Sequence, residues 1–222
     1  MRKRITSLLL TLVMLLSLVP AMGVTAFAEG SSGAAPIVVN TYAELKQWME
    51  NGDRWGNYYL KIGQDIDTST ENSNMGLGPD EIIRVHSNIH LDLNGKKVTL
   101  FKRITDTPYL IQTVTGSLSI KDSGNSGEFI GVNQTSSALN LFMIGSSTTF
   151  TLESGKVSLK INKEGYPAKN AAIVNSSGNV AINGGEINVT HYRNRREVSS
   201  DIESGNYALL VYSGKTSITA GT

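Results

Sequence analysis

The chain has 222 residues, 40% hydrophobic and 18% charged, with 22 glycines and no cysteine. That is enough apolar material for a packed core, and the lack of thiols excludes disulfides, Cys-ligated zinc, iron–sulfur clusters and thiol catalysis. Twenty basic against 19 acidic residues give a formal charge of +1, which argues against nucleic acid as the main partner.

Residues 1–28 read as a signal peptide. Arg2, Lys3 and Arg4 form a basic n-region, and Leu8 to Val19 form an apolar run too short to span a bilayer comfortably. Pro20 breaks that run, and Ala26-Phe27-Ala28 matches a small-residue cleavage site before Glu29. Losing this leader would leave 17 basic and 19 acidic residues, a charge of −2. No later apolar run has membrane length, so no membrane span is expected after cleavage. Export without cysteine points to a secreted protein of the bacterial cell surface, because secreted eukaryotic domains commonly rely on disulfides. The sequons at Asn133, Asn175 and Asn188 then read as chance matches.

Residues 29–36 (EGSSGAAP) have the composition of a linker, and 37–84 read as an N-terminal cap with the first strands. Ile37 to Val39 is a short strand. Thr41 and Glu44 have the spacing of a capping box, in which each side chain bonds the other's backbone. Leu45, Trp48 and Met49 then share one helical face, and Gly52 is placed to end the helix. So short an amphipathic helix is marginal alone and must cover something. From Tyr58 the period changes to two, through Leu60, Ile62 and Ile66. Residues 68–81 are polar and Gly-rich, hence a loop.

Over 85–222 one pattern recurs. The segments 89–95 (IHLDLNG), 118–124 (LSIKDSG), 150–155 (FTLESG), 180–185 (VAINGG) and 216–221 (TSITAG) each read as an alternating strand and a small polar turn ending in Gly. With Leu93, Ile120, Leu152, Ile182 and Ile218 as anchors, the spacings are 27, 32, 30 and 36. A further strand precedes each unit, with Ile144, Val174 and Leu210 each 8 residues before the next anchor. Two features sharing a period near 30 indicate a solenoid. A sandwich with evenly spaced strands is the competing architecture, but it does not require the same strand order to recur in register. No repeat can bury its apolar row alone. Winding the chain points every row to one axis and stacks equivalent strands in parallel ladders.

The opening from Val39 to Leu45 and on through Ile62-Gly63-Gln64-Asp65-Ile66, the Leu91-Asp92-Leu93-Asn94-Gly95-Lys96 unit and the Ile182-Asn183-Gly184-Gly185-Glu186-Ile187 unit resemble right-handed parallel β-helix proteins of pectate-lyase-like architecture. The likeness is greatest to surface and adhesin-type proteins of Gram-positive bacteria. It implies an all-β fold, a right-handed parallel β-helix solenoid with an N-terminal amphipathic capping helix that gives Leu45, Trp48 and Met49 their partner. The fold hosts lyases, hydrolases, epimerases and non-catalytic adhesins, so it does not fix a function.

The outward positions between the anchors read as Asp92, Ser119, Thr151, Ala181 and Ser217, with one acid among them and no carboxylate pair for glycosidic chemistry. The turn residues Asn94, Asp122, Glu153 and Asn183 fit turn chemistry. Asp65, Asp67, Ser69 and Glu71 resemble a calcium loop, but Thr70 stands where the turn glycine is needed. His86 and His90 lack a third ligand, so no metal and no cofactor are expected. The concentrated charge is His191-Tyr192-Arg193-Asn194-Arg195-Arg196, in the repeat extended to 36 residues. Insertions on solenoids project from one face, and Tyr192, Arg193, Arg195 and Arg196 could grip an anionic polysaccharide through guanidinium forks and ring stacking. Glu197, Asp201 and Glu203 follow and offset that charge, which fits an ordinary solvated loop as well. Trp55, Tyr58, Tyr59, Tyr109, Tyr166 and Tyr192 are further aromatic candidates for sugar contact, though each tyrosine taken singly reads better as a half-buried strand or turn residue.

The expectation is a secreted or cell-surface β-helix with a structural or adhesive role touching polysaccharide or cell-wall glycan. An N-terminal fragment of a polysaccharide lyase or glycoside hydrolase is the alternative. The final repeat stops one strand in, so further C-terminal coils of a longer protein are expected to cover it.

Overall fold

A computed structural model of the chain describes residues 35–50, 56–69, 82–102, 108–135, 137–162, 169–191 and 205–221. Among these there is one helix, α1 (Tyr42–Glu50), and no helix long and apolar enough to cross a membrane. The strands fall into three parallel sheets. The first contains β1 (Ile37–Val39), β2 (Asn57–Ile62), β5 (Asn88–Asp92), β8 (Ser117–Lys121), β11 (Thr149–Leu152), β14 (Asn179–Ile182) and β17 (Lys215–Ile218). The second stacks β3 (Ile66–Asp67), β6 (Lys97–Lys102), β9 (Glu128–Asn133), β12 (Lys156–Ile161) and β15 (Glu186–His191). The third stacks β4 (Ile83–Val85), β7 (Tyr109–Thr113), β10 (Asn140–Ile144), β13 (Lys169–Asn175) and β16 (Gly205–Val211). From β2 on, the chain visits the sheets in strict rotation and each strand pairs with its equivalent one turn away. The protein is a parallel β-helix.

Alternation along each strand builds the interior. The register places Leu60, Leu91, Ile120, Leu152, Ile182 and Ile218 in one inward column, and Tyr58, Ile89, Leu118, Phe150, Val180 and Thr216 in the next. Phe142 bridges the sheets inside, 5.2 Å from Phe129 and 5.1 Å from Phe150 between ring centroids. Tilted rings at such distances add to the burial of their faces.

Two sequence alignments are corrected by this register. Leu93 is not the anchor of its repeat: Leu91 pairs with Ile120 and with Leu60. Leu93 is also fully buried, beyond the strand end, so a period of two cannot tell the two leucines apart. Nor are Ile144 and Val174 equivalent. Val174 pairs with Met143, and Ile144 with Asn175. The turn after Ile144 runs over 145–148 and that after Asn175 over 176–178, so a fixed offset of 8 slips by one residue. The longer turn is held where Thr148 Oγ1 meets Thr113 Oγ1 at 2.6 Å and donates to the Gly145 carbonyl at 2.8 Å.

Turns restrict residue choice most where rungs touch. Gly185 has φ +81, and a Cβ there would lie 2.5 Å from the Gly155 carbonyl oxygen one rung below. Only glycine accepts both the left-handed backbone and that approach. Polar side chains fill the remaining corners. Asp122 accepts backbone N–H bonds from Gly95 (2.6 Å), Gly124 (3.0 Å) and Gly127 (2.6 Å). Lys102 is fully buried and donates to Ser137 Oγ at 2.9 Å and to the Ala138 carbonyl at 2.5 Å. Asn133 and Asn175 are also buried, with 1% and 0% of their surface exposed, so neither sequon is open to a glycan in the folded chain.

The helix closes the N-terminal end as a lid with polar fittings. Glu44 N donates to Thr41 Oγ1 at 3.2 Å, and Thr41 N donates to Glu44 Oε2 at 3.2 Å, which completes the capping box. Leu45 and Met49 are fully buried in the core, and Trp48 packs partly against it. At the outer edge of β4, Lys46 Nζ donates to the Ile82 carbonyl (3.3 Å), Glu50 Oε1 accepts from Arg84 N (3.1 Å), and the Met49 carbonyl accepts from His86 N (3.3 Å). Successive alternate backbone groups of an edge strand thus find partners on one helix, which removes the unpaired edge.

Candidate functional site

The outer face of the seven-stranded sheet is a polar ladder. Because Leu91 rather than Leu93 is the anchor, the outward residue of that rung is His90, not Asp92. The central outward column is Tyr59, His90, Ser119, Thr151, Ala181 and Ser217. Beside it, and again in register, stand Asn57, Asn88, Ser117, Thr149, Asn179 and Lys215. Neighbouring rungs of a sheet lie about 4.7–4.9 Å apart, so the flanking column offers hydroxyl and amide groups at nearly constant spacing from Asn57 to Asn179, while Ala181 interrupts the central one.

Its N-terminal half is the more organised. The Tyr59 and His90 rings are stacked, 4.7 Å between centroids and 10° from parallel. His90 Nδ1 is 2.9 Å from Ser119 Oγ on the next rung. Ser117 Oγ donates to Asn88 Oδ1 at 3.0 Å. Burial, and after it the Lys121 ammonium, hold the His90 imidazole below its ordinary value of 6.5, while Glu153 pulls the other way. At neutral pH the ring is therefore neutral, with one nitrogen donating and one accepting. Further along, Asn183 Nδ2 donates to Glu153 Oε2 (3.1 Å), and Thr219 Oγ1 donates to Asn183 Oδ1 (3.3 Å).

Asp92 is the last residue of β5, level with Lys61 and Lys121. It is buried, and its Oδ1 accepts from Asn94 N (2.9 Å) and Ser123 N (3.0 Å), so it ties the strand end to the turns of two rungs. Asp65 Oδ1 accepts from Lys97 N (2.9 Å) and Asp67 Oδ1 from Ser69 N (2.7 Å); both carboxylates serve backbone geometry, and Glu71 lies outside the described residues. Among the described residues no three metal-ligating side chains cluster.

The site residues expected from sequence, Tyr192, Arg193, Arg195 and Arg196, lie outside the described residues, as do Trp55 and Tyr166. Of the other aromatic candidates, Tyr58 turns inward, 5.7 Å from Trp48, and Tyr59 turns outward. Sequence reasoning missed the Tyr59–His90–Ser119 row. The signal was present in the match of Ile89-His90-Leu91 to Leu118-Ser119-Ile120, and was lost through the choice of Leu93 as anchor.

Comparison with protein-family models, with curated proteins and with solved structures gives no match. The class defined by the structure is the parallel β-helix, a scaffold rather than an activity.

Proposed function

We propose that the chain is an exported, surface-associated β-helix with a structural or adhesive role, and that the outer face of its seven-stranded sheet contacts a polysaccharide. The observation that supports this most is the in-register ladder of hydroxyl and amide groups flanking the stacked Tyr59–His90 pair. A face that repeats its polar groups from rung to rung suits a polymer that repeats its own units. Aromatic rings with polar tips suit ligands that are apolar on one face and wet on the other. The leader sequence supports export, and the resemblance to surface β-helices of Gram-positive bacteria supports attachment to a cell wall. The Arg-rich segment 193–196 would supply a second, cationic contact to acidic groups of the polysaccharide.

The test is retention on a panel of immobilised polysaccharides, with Tyr59→Ala and His90→Ala beside the parent chain. Binding without turnover, weakened at least several-fold by both substitutions, is expected. Release of unsaturated or shortened products would replace this reading with that of a lyase or hydrolase fragment. Undiminished binding by both variants would remove the ladder from the interaction.

A further inference from the structure

The turns that lead from the first sheet to the second carry two Asn-Gly sequences, Asn94-Gly95 and Asn183-Gly184; a third, Asn51-Gly52, lies outside the described residues. An asparagine before a glycine can react with its own backbone, because glycine has no side chain to shield its amide nitrogen from the neighbouring carboxamide. A leucine precedes one pair and an isoleucine the other, so the two are alike in sequence. Their surroundings differ.

Asn94 is clamped. Its backbone lies in the left-handed region at φ +53, and the residue is half-buried. Asn94 N donates to Asp92 Oδ1 at 2.9 Å, and its Nδ2 donates to the Ile62 carbonyl of the rung below at 3.0 Å. Gly95 N donates to Asp122 Oδ1 at 2.6 Å. The nitrogen that would attack is thus bound short to a carboxylate, and an adjacent negative charge opposes the loss of its proton. Asn183 is held loosely at the surface. It is exposed, its Nδ2 donates to Glu153 Oε2 at 3.1 Å, and its Oδ1 accepts from Thr219 Oγ1 at 3.3 Å. Gly184 N donates to the Leu152 carbonyl at 3.3 Å, an oxygen that already accepts from Asn183 N at 2.9 Å. Glu153, one rung further in, is exposed too, so the exposure is lateral and belongs to this row of turns.

We propose that Asn183 is a site of spontaneous modification by water, at which the carboxamide is converted to aspartate or isoaspartate, and that the fold protects Asn94 from the same reaction. Gly184 N gives its proton to solvent base and bonds to Asn183 Cγ. The Cγ–Nδ2 bond breaks, ammonia leaves and a cyclic imide remains. Water then opens the imide at either of its carbonyls. The net change is one carboxamide and one water to one carboxylate and one ammonium ion. Each event adds a negative charge across from Glu153, where like charges on adjacent rungs are unfavourable. The isoaspartate product also lengthens the main chain in a turn where a Cβ on Gly184 would lie 2.4 Å from the Glu153 carbonyl oxygen. The proposal is independent of the carbohydrate reading.

The test is timed incubation of the full chain at mildly alkaline pH, folded and in urea, with conversion at each asparagine followed by peptide mass spectrometry. In the folded chain Asn183 is expected to convert while Asn94 stays intact. In urea the two are expected to convert at similar rates, since only the fold separates them. Asn183→Gln is expected to abolish conversion at that position and to leave Asn94 intact in the folded chain. Folded-state conversion of Asn94 as fast as that of Asn183 overturns the proposal. So does an intact Asn183 in the folded chain after the time that converts it in urea.

Discussion

The first and the last described rungs of the coil stack differ in how far they are covered. At the N-terminal end, α1 seals the interior with Leu45 and Met49 and satisfies the β4 edge through Lys46, Met49 and Glu50. At the C-terminal end, β17 is exposed along its whole length and β16 and β15 are covered only in part. A solenoid rung is half-finished until something lies on both its sides, because its apolar row and its peptide groups are both shared with neighbours. The difference shows that stability in this fold belongs to the rung interfaces and not to the rungs.

Substitutions at the two ends sharpen that contrast. The largest effect is expected for Leu45→Ala and Met49→Ala, which open cavities beneath the lid and should each lower stability by about 2–5 kcal/mol in urea unfolding. A loss below about 1 kcal/mol at both positions would mean that the lid does not seal the core. Next, Thr41→Ala removes the N-cap hydroxyl and should reduce stability by about 1 kcal/mol; an unchanged unfolding midpoint would contradict the capping role. At the other end, Ile218→Ala should change stability by no more than about 0.5 kcal/mol, as expected for a side chain largely in water. A loss matching that of Met49→Ala would show that the end is covered in solution.

The smallest effect lies on the outer ladder. His90 has a folded-state value below 6.5, so between the two values the unfolded chain binds the proton and the folded chain does not. The His90 contribution to stability is then constant above the unfolded value and falls as the pH drops through 6.5 toward the folded value. Substituting His90→Asn should remove that decline, and Lys121→Ala should move the His90 titration upward in an NMR pH series. A His90 titration at or above 6.5 in the parent chain would contradict the burial that holds it down.

Much of this architecture was legible in the residues. The capping box at Thr41 and Glu44, the inward Ile120, Leu152 and Ile182, and the glycine turns each follow from local geometry, and a period near 30 announced the coil. The outward face was less legible. Leu91 and Leu93 are both buried, and two inward leucines around one aspartate look like a strand whose outward residue is that aspartate. Only the pairing of Leu91 with Ile120 shows that His90 is the outward residue of the rung and that Asp92 ends the strand and holds the turn after it. The inward Lys102 gave no sequence signal, since its partners Ser137 and Ala138 lie 35 and 36 residues away.

The sequence by itself determined the class of fold, because alternation and turn chemistry act within a few residues and repeat from rung to rung. It also determined the helix and the face it buries. The tertiary structure decided the register, since a slip of one residue exchanges inside for outside and leaves composition and period untouched. With the register came everything that depends on neighbours one turn away: the Tyr59–His90 stack, the contact with Ser119 and the inward partners of Lys102. Those contacts join residues about thirty positions apart, and their geometry exists only once the chain has wound back over itself.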